Sequence, residues 1–291
     1  MTRMASTTTS PLETRQRLSR ALAYTAALLI AAIVLVPVIY VILGGFRTTG
    51  QIAAKPVDLP HPWRIGNYTE ILKSGPFREG GFRRQVVNSL LISVVATLVV
   101  VVTGAMAAFP LSRFDFRGRE GLYTLFTLGL LFPIGVAALP LYILLRQIGL
   151  LENPLGVALP EAAFGLPITI VILRPFMRTI PAELEDAAAI DGCSRFGFFW
   201  RVLLPLSAPA LATVSIVAFI TSWNYFLLPL LVLTEEAHWT LPLGVANYSG
   251  EHSSDTARIL AFTALSMLPA LAFFLLAERR IVGGLSGAVK G

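Results

Sequence analysis

The sequence has little cysteine, little histidine and little charge. Its single cysteine, Cys193, excludes an internal disulfide framework. Its 3 histidines are isolated at His61, His238 and His252, without the spacing that a metal site needs. Only 14% of the 291 residues are charged, whereas an ordinary soluble domain carries roughly 25%. These shortages argue against a soluble domain, a disulfide scaffold and a zinc module.

The sequence also lacks a phosphate-binding loop. Lysine occurs only at Lys55, Lys73 and Lys290, and none of these follows a G-x-x-x-x-G run. No nucleophile–base pair indicates an enzyme. The formal charge of +6 is more typical of the cytoplasmic loops of a membrane protein than of a nucleic-acid surface. We therefore predict no catalytic residues, no metal, no cofactor and no nucleotide hydrolysis by this chain.

Long apolar runs are what the chain has instead. Hydrophobic residues make up 55% of it and gather in runs of roughly 20, the length of a helix that crosses a bilayer. The first run is longer than the apolar core of a cleaved leader, so we expect a retained span. An all-α, polytopic membrane fold with six transmembrane helices is predicted at residues 22–43, 86–109, 122–145, 155–172, within 206–233, and 259–277.

The charges between these runs predict the direction of insertion. Arg113, Arg117 and Arg119 crowd the short second connection, whereas residues 234–256 hold no lysine or arginine. Because short basic loops stay in the cytoplasm, we place both chain termini there. The predicted division is a cytoplasmic tail (1–20), a six-helix transmembrane domain (21–281) with an outer loop (45–84) and a cytoplasmic loop (178–205), and a second cytoplasmic tail (282–291).

A polar island interrupts the apolar sequence at residues 181–205. Pro181 suits the first turn of a helix, and the acidic residues after it favour the positive end of the helix dipole. Gly192 is a natural helix stop. The small side chains of Ala187 and Ala188 would let the surface of another protein approach closely. We predict a docking helix, with a solvated loop as the alternative.

The island is similar to a known motif. Asp186-Ala187-Ala188 is followed by Gly192 and, after nine further residues, by Val202-x-Leu204-Pro205. This spacing resembles the EAA motif of bacterial ABC importer permeases, with Asp186 in place of Glu and Val202 in place of Ile. The resemblance extends along nearly the whole chain to maltose-type carbohydrate permeases. Matching stretches are Asn67-Tyr68, Asn88-Ser89, residues 113–121, Pro140-Leu141-Tyr142, Trp223-Asn224, Thr240-Leu241 and residues 283–291.

This resemblance implies a type I ABC importer permease fold in a bacterial inner membrane. It implies a sister permease, two copies of a cytoplasmic ATP-binding subunit, and an extracytoplasmic solute-binding protein that delivers a sugar. It also implies a set of residues that couple this chain to the ATPase without catalysing a reaction: Asp186, Ala187, Ala188, Gly192, Leu204 and Pro205.

Polar residues inside the spans are the remaining candidates. Two interpretations stand for Trp223 and Asn224: hydrogen bonding between helices, which is the more usual role of a polar residue inside a span, and lining of the path of the sugar. Glu161 is the only acidic residue inside a predicted span. A residue that reaches the membrane interface and a carboxylate of a proton-coupled transporter both remain open for it. A membrane scaffold without transport is the other rival. The outer loop is either a contact for the binding protein or a connector.

Overall fold

The computed structural model describes the backbone of residues 11–73, 81–247, 249–250 and 253–288. Side chains are described for residues 19–73, 81–246 and 255–275. The features predicted at His252, at residues 1–10 and at residues 289–291 lie outside the described residues.

Helices dominate the described chain, as the sequence predicts. In chain order they are α1 (Pro11–Gly44), α2 (Thr49–Ala54), α3 (Gly66–Lys73), α4 (Phe82–Arg113), α5 (Arg119–Gly129), α6 (Ile134–Gln147), α7 (Pro154–Thr179), α8 (Glu183–Ile190), α9 (Arg195–Phe198), α10 (Leu204–Leu206), α11 (Ala208–Trp223), α12 (Leu227–Val232), α13 (Leu241–Asn247) and α14 (Thr256–Ala288). A π-helical turn (Phe199–Leu203) joins α9 to α10, and a 3-10 turn (Glu236–His238) precedes α13. Two short antiparallel strands, β1 (Ser249–Gly250) and β2 (Ser253–Ser254), pair with each other.

Four described helical segments are long and apolar enough to cross a membrane unbroken: Ser19–Gly44, Phe82–Arg113, Pro154–Thr179 and Thr256–Leu275. Two further pairs pass the same test together but are sharply bent. The bend between α5 and α6 is 93°, and the bend between Arg195–Leu206 and α11 is 77°. Six spans result when each bent pair counts as one.

The third predicted span is not one straight helix. Helix α5 ends at Gly129 and α6 begins at Ile134, with Pro133 in an extended conformation between them. Proline supplies no N–H and disfavours a helical conformation in the residue before it, so Pro133 favours a break at this point. In the fifth span Pro209 lies in the first turn of α11, where proline is tolerated.

The described chain divides into two compact units. Unit 1 comprises the described residues up to 68 together with 255–264, and unit 2 comprises the described residues within 69–254 and from 265 onward.

In unit 1 the segment after α1 is folded around the buried side chain of Arg47. Its guanidinium donates to the carbonyl oxygens of Gln51 and Pro56, at 2.8 Å each, and to that of Lys55. The amide of Asn67 donates to the Arg47 carbonyl at 2.9 Å. The beginning of the predicted outer loop is therefore an ordered structure with its own polar core.

Tyr68 also ties this segment to the end of α1. Its hydroxyl donates to the carbonyl of Ile42 at 2.6 Å. Burial raises the pKa of Tyr68 to about 12. Gly45 lies so close to Tyr68 and Ala261 that a Cβ there would come within 2.8 Å of the Ala261 Cα.

In unit 2 helices α4 and α7 pack along much of their length, and α11 packs against both. Gly104 of α4 faces Thr169 of α7 so closely that no side chain fits at this position. One buried cluster, which we call the α8-end cluster, includes Phe109, Met177 and Phe199. A second cluster, which includes Ile92 and Val157, lies toward the opposite end of the α4–α7 pair.

Candidate functional site

Helix α8 forms the centre of the polar island. It begins at Glu183, two residues after Pro181, and Ala182 at its N-cap provides no side-chain hydrogen bond. The first turn carries Glu183, Glu185 and Asp186, whose negative charges compensate the dipole of an otherwise uncapped helix. The sequence predicts Pro181 in the first turn of this helix, but in the structure Pro181 precedes the helix.

Gly192 ends α8 by a backbone conformation that favours glycine. Its φ angle is +78°, in the left-handed region. The N–H of Cys193 bonds the carbonyl of Ala188 at 2.8 Å, and the N–H of Gly192 bonds that of Ala189 at 3.0 Å. This pair of bonds is the Schellman motif, which satisfies carbonyls that a helix end leaves free. The sequence correctly placed the helix stop.

One face of α8 packs against the rest of unit 2, and most of its other side chains are exposed. Ala188 and Cys193 pack against the α8-end cluster. Asp186 and Ala187 are exposed, and Ile190 keeps 86% of its surface accessible. Leu184 and Phe196 also keep 40% and 63% of their surface accessible, so several large apolar side chains of this segment are open to another protein.

The segment after α8 anchors the island through aromatic side chains. Ser194 caps α9 by accepting from the N–H of Gly197 at 3.1 Å. Phe199 is buried, with its ring centroid 5.0 Å from that of Phe109 on α4. Leu204 packs partly against the same α8-end cluster, whereas Pro205 is exposed. The two ends of the predicted coupling motif are thus held on one cluster.

A cavity of about 290 Å³ opens within unit 2 between α4, the α5–α6 break, α7 and α11. Most of its wall is apolar, and its polar side chains come from Glu161, Thr169, Thr221, Ser222 and Tyr225. A pocket with apolar walls and a few convergent polar groups is the usual form of a small-molecule site.

Glu161 lines this cavity. The hydroxyl of Ser222 donates to its Oε2, while its Oε1 has no protein partner within the described residues. Sequence reasoning missed this location. A charged residue within a span was the available signal, but Ser222 lies 61 residues away and no local pattern pairs the two.

Trp223 and Asn224 do not meet at one site. Trp223 is buried, stacks on Phe219 with ring centroids 5.7 Å apart, and donates to the carbonyl of Ser266 at 3.2 Å. Asn224 is exposed and donates to the carbonyl of Ile220 on its own helix at 2.8 Å. For Trp223 this geometry matches the alternative of bonding between helices; a role of either residue in the path stays a prediction.

The motif residues Asn88 and Ser89 hold the connection that leads to α13. The Asn88 amide donates to the carbonyls of Ala237 and Trp239 at 3.0 and 2.9 Å. The hydroxyl of Ser89 accepts from the N–H of Leu241 at 2.8 Å. Two of the stretches that carry the family resemblance, about 150 residues apart in the chain, therefore bond directly to each other.

Glu152 clamps the α6–α7 turn to the same connection. Its carboxylate accepts from the N–H and hydroxyl of Thr234, the N–H of Glu235 and the ring of His238. Burial raises the pKa of Glu152, but these hydrogen bonds outweigh it and hold the pKa below its ordinary value. Possible ligand atoms of Glu152, Glu235 and His238 lie within 4.8 Å of one another, yet protein donors already occupy the Glu152 carboxylate.

Comparison with known proteins places the chain in a family. Residues 83–281, more than half of the sequence, match the family described as "Binding-protein-dependent transport system inner membrane component". The chain belongs to this family, whose members are transport components and not enzymes.

Curated relatives of similar length match along nearly the whole chain. The diacetylchitobiose uptake system permease protein NgcG of Streptomyces coelicolor is 34% identical over 91% of this chain and 87% of its own length. The trehalose transport system permease protein SugB of Mycobacterium tuberculosis is 35% identical over 90% of this chain and 95% of its own length.

A solved structure has the same fold. It is a bacterial ABC transporter involved in the import of the acidic polysaccharide alginate, and its matching chain superposes with a TM-score of 0.73 at 21% identity. The match covers 96% of this chain and 99% of that one. The predicted ABC importer permease fold is thereby confirmed.

Proposed function

We propose that this protein is one of two permease subunits of an ATP-driven importer of carbohydrates and forms half of its path. The curated relatives carry names of diacetylchitobiose, trehalose and arabinooligosaccharide systems, which supports a sugar as the substrate. A structure similar to this fold is a complex with a periplasmic binding protein. The proposed partners are a sister permease, two copies of a cytoplasmic ATP-binding subunit and an extracytoplasmic solute-binding protein.

The observation that carries this function is the form of the segment 181–205. A short helix with one attached and one exposed face fits insertion into a groove of the ATP-binding subunit. In this proposal Asp186, Ala187, Ala188 and Gly192 contact or shape that groove. Leu204 and Pro205 return the chain to the α8-end cluster and α11. Asp186 reaches one methylene less far than the Glu of the motif.

The proposed orientation places α8 and both termini in the cytoplasm. The basic second connection and the absence of lysine and arginine from residues 234–256 support it. The division into tails at residues 1–20 and 282–291 and a transmembrane domain at residues 21–281 belongs to the same proposal.

The proposed path of the sugar passes the cavity in unit 2. Its volume of about 290 Å³ is close to the lower end of the range for ligand sites, about 300–1,000 Å³. Sugars need hydrogen-bond acceptors and ring faces, which Glu161, Ser222 and Tyr225 offer. Asn224 would add an amide at the end of α11, and Trp223 would contribute by fixing α11 against α14.

Uptake by the complete complex in proteoliposomes tests this function. We expect uptake of trehalose, diacetylchitobiose or arabinooligosaccharides that requires ATP and the binding protein and withstands a protonophore. Uptake that does not require ATP and stops when a protonophore removes the proton gradient would instead identify a proton-coupled transporter. A complex that carries no carbohydrate under either condition would contradict the proposal in favour of a scaffold.

A pair of charge reversals tests the docking surface. Asp186→Lys removes a motif carboxylate, and Glu183→Lys removes an exposed carboxylate from the same turn outside the motif. We expect the first variant to lose the ATP-binding subunit during purification and the second to retain it. Equal retention by both variants would argue against docking at the motif.

A further inference from the structure

Three helix ends of unit 2 meet at the side chain of Arg174. This arginine lies near the end of α7 and keeps only 5% of its side-chain surface exposed. Its Nε donates to the carbonyl of Leu111 near the end of α4 at 3.0 Å, and its Nη2 donates to Glu120 at the start of α5. Its guanidinium also lies 3.9 Å from the ring centroid of Tyr123. One side chain thus joins α7 to α4 and α5.

Arg113 makes a reciprocal tie in the opposite direction. It lies in the last turn of α4, and its Nη2 donates to the carbonyls of Met177 and Ile180 at 2.7 Å each. Ile180 directly precedes the segment 181–205. Both carbonyls belong to the end of α7, where a helix leaves its last carbonyls without partners. The residue from which the coupling segment departs is therefore fixed to α4.

The meeting point of Arg174, Leu111 and Glu120 forms a polar joint between α7, α4 and α5. Because Arg174 is buried there, its charge needs a carboxylate partner, and Glu120 is that partner. A buried charge without a partner is strongly unfavourable, so the exposed carboxylate of Glu120 is worth more to Arg174 than a surface pair normally is. The neighbouring ion pair between Arg119 and Asp115 is different. The Asp115 side chain is 95% exposed, and such surface pairs contribute little.

Helix α5 continues from this joint to the cavity. It ends at Gly129, and Gly129, Leu130 and Phe132 line the cavity at the break before α6. A movement of the α7 end that is transmitted to the start of α5 therefore changes the cavity wall. The 93° bend between α5 and α6 lies at these cavity-lining residues.

We propose that Glu120 and Arg174 are positioning residues that transmit movement of the coupling segment to α5, and thereby to the cavity. This inference rests on the proposed function, because it requires an ATP-binding subunit that moves α8. Arg113 holds the pivot at Ile180, and the Glu120–Arg174 pair carries the displacement across to α5. The sugar is not touched by either residue.

Coupling between ATP hydrolysis and the loaded binding protein is the first test. Glu120→Ala removes the partner of Arg174, and Asp115→Ala is the matched control, because it removes a carboxylate from the same connection without touching Arg174. In the complete complex we expect Glu120→Ala to lower the ratio of stimulated to basal ATP hydrolysis about fivefold or more, the lower end of typical coupling between sites. Glu120→Gln, which keeps the acceptor oxygen, is expected to recover part of it.

A distance measurement tests the movement itself. In a Cys193→Ser background, spin labels at Leu125→Cys on α5 and Leu144→Cys on α6 occupy exposed positions. We expect trapping with ATP and vanadate to change the distance between the labels in the otherwise unmodified complex and in Asp115→Ala, but not in Glu120→Ala.

The results separate this inference from the proposed function. Absence of any sugar-stimulated hydrolysis in the unmodified complex contradicts the proposed function. A normal unmodified complex together with normal coupling and a normal distance change in Glu120→Ala overturns the inference alone. Equal losses in Asp115→Ala and Glu120→Ala also overturn it, since the effect would then follow from charge and not from Arg174.

Discussion

Substitution of Gly192 by alanine isolates a purely conformational cost at the end of α8. No heavy atom lies within 4 Å of a Cβ built at this position, so the new methyl group meets no neighbour. The cost arises from the φ angle of +78°, which is unfavourable for an L-residue by about 1–2 kcal/mol. A free energy of that size lowers the equilibrium ratio of the closed to the open helix end by a factor of about 5–30.

Hydrogen exchange in the purified complex measures this change. The N–H groups of residues 192 and 193 hold the Schellman motif, so their peptide should lose protection by about the same factor of 5–30. Gly192→Asn should lose less, because asparagine tolerates the left-handed region. Gly121→Ala is the matched control, since its Cβ is also free but its backbone is helical; we expect it to stabilise α5 by about 0.5–1 kcal/mol.

Unchanged exchange in Gly192→Ala would refute the conformational argument, and equal losses in alanine and asparagine variants would show that the φ angle is not the cause. A bulkier residue at the same position extends the test to function. We expect a complex that is inserted and assembled normally, but whose ATP hydrolysis no longer depends on substrate or which has lost the ATP-binding subunit. Normal sugar uptake would count against coupling through this segment.

Three further predictions concern the polar joints of unit 2. Arg113→Ala leaves two carbonyls at the α7 end without their donor and should lower the free energy of unfolding by about 1–3 kcal/mol in thermal unfolding. Substitution of the exposed Arg117 by alanine should leave that free energy unchanged. Asn88→Ala should cost about 1–3 kcal/mol and speed hydrogen exchange in residues 237–241; an unchanged rate would contradict the role of its amide. Because the pKa of Glu152 is lowered in the folded protein, its stabilising effect should be complete above the ordinary glutamate pKa of about 4.3 and disappear as the pH falls through the lowered value. Glu152→Gln should remove that dependence in acid unfolding.

The spans that could be predicted are those whose apolar run is unbroken. Helices α4 and α7 were found because hydrophobic length is a local property that any bilayer-crossing helix must show. The bend at Pro133 was missed, although the proline itself was visible, because proline within an apolar run also occurs in continuous helices such as α7. Whether a proline breaks a helix depends on the packing around it, which no local pattern reveals.

The candidate site shows the same division between local and distant information. The end of α8 at Gly192 follows from one residue and its neighbours. The pairing of Glu161 with Ser222, and of Arg174 with Glu120, joins residues 61 and 54 positions apart. The sequence presented Arg113 as a charge that favours the cytoplasm and as part of a matching stretch, yet its main contacts are the backbone carbonyls of Met177 and Ile180. One basic residue can serve both insertion and packing.

The position of the single cysteine has a practical consequence. Cys193 follows the left-handed glycine and rests half-buried on the α8-end cluster. The unaltered chain therefore carries a natural thiol where α8 meets the α8-end cluster, and it has no second thiol that would add to the signal. The rate at which a maleimide reacts with Cys193 measures how often this residue separates from the α8-end cluster, in every nucleotide state and without any engineered label.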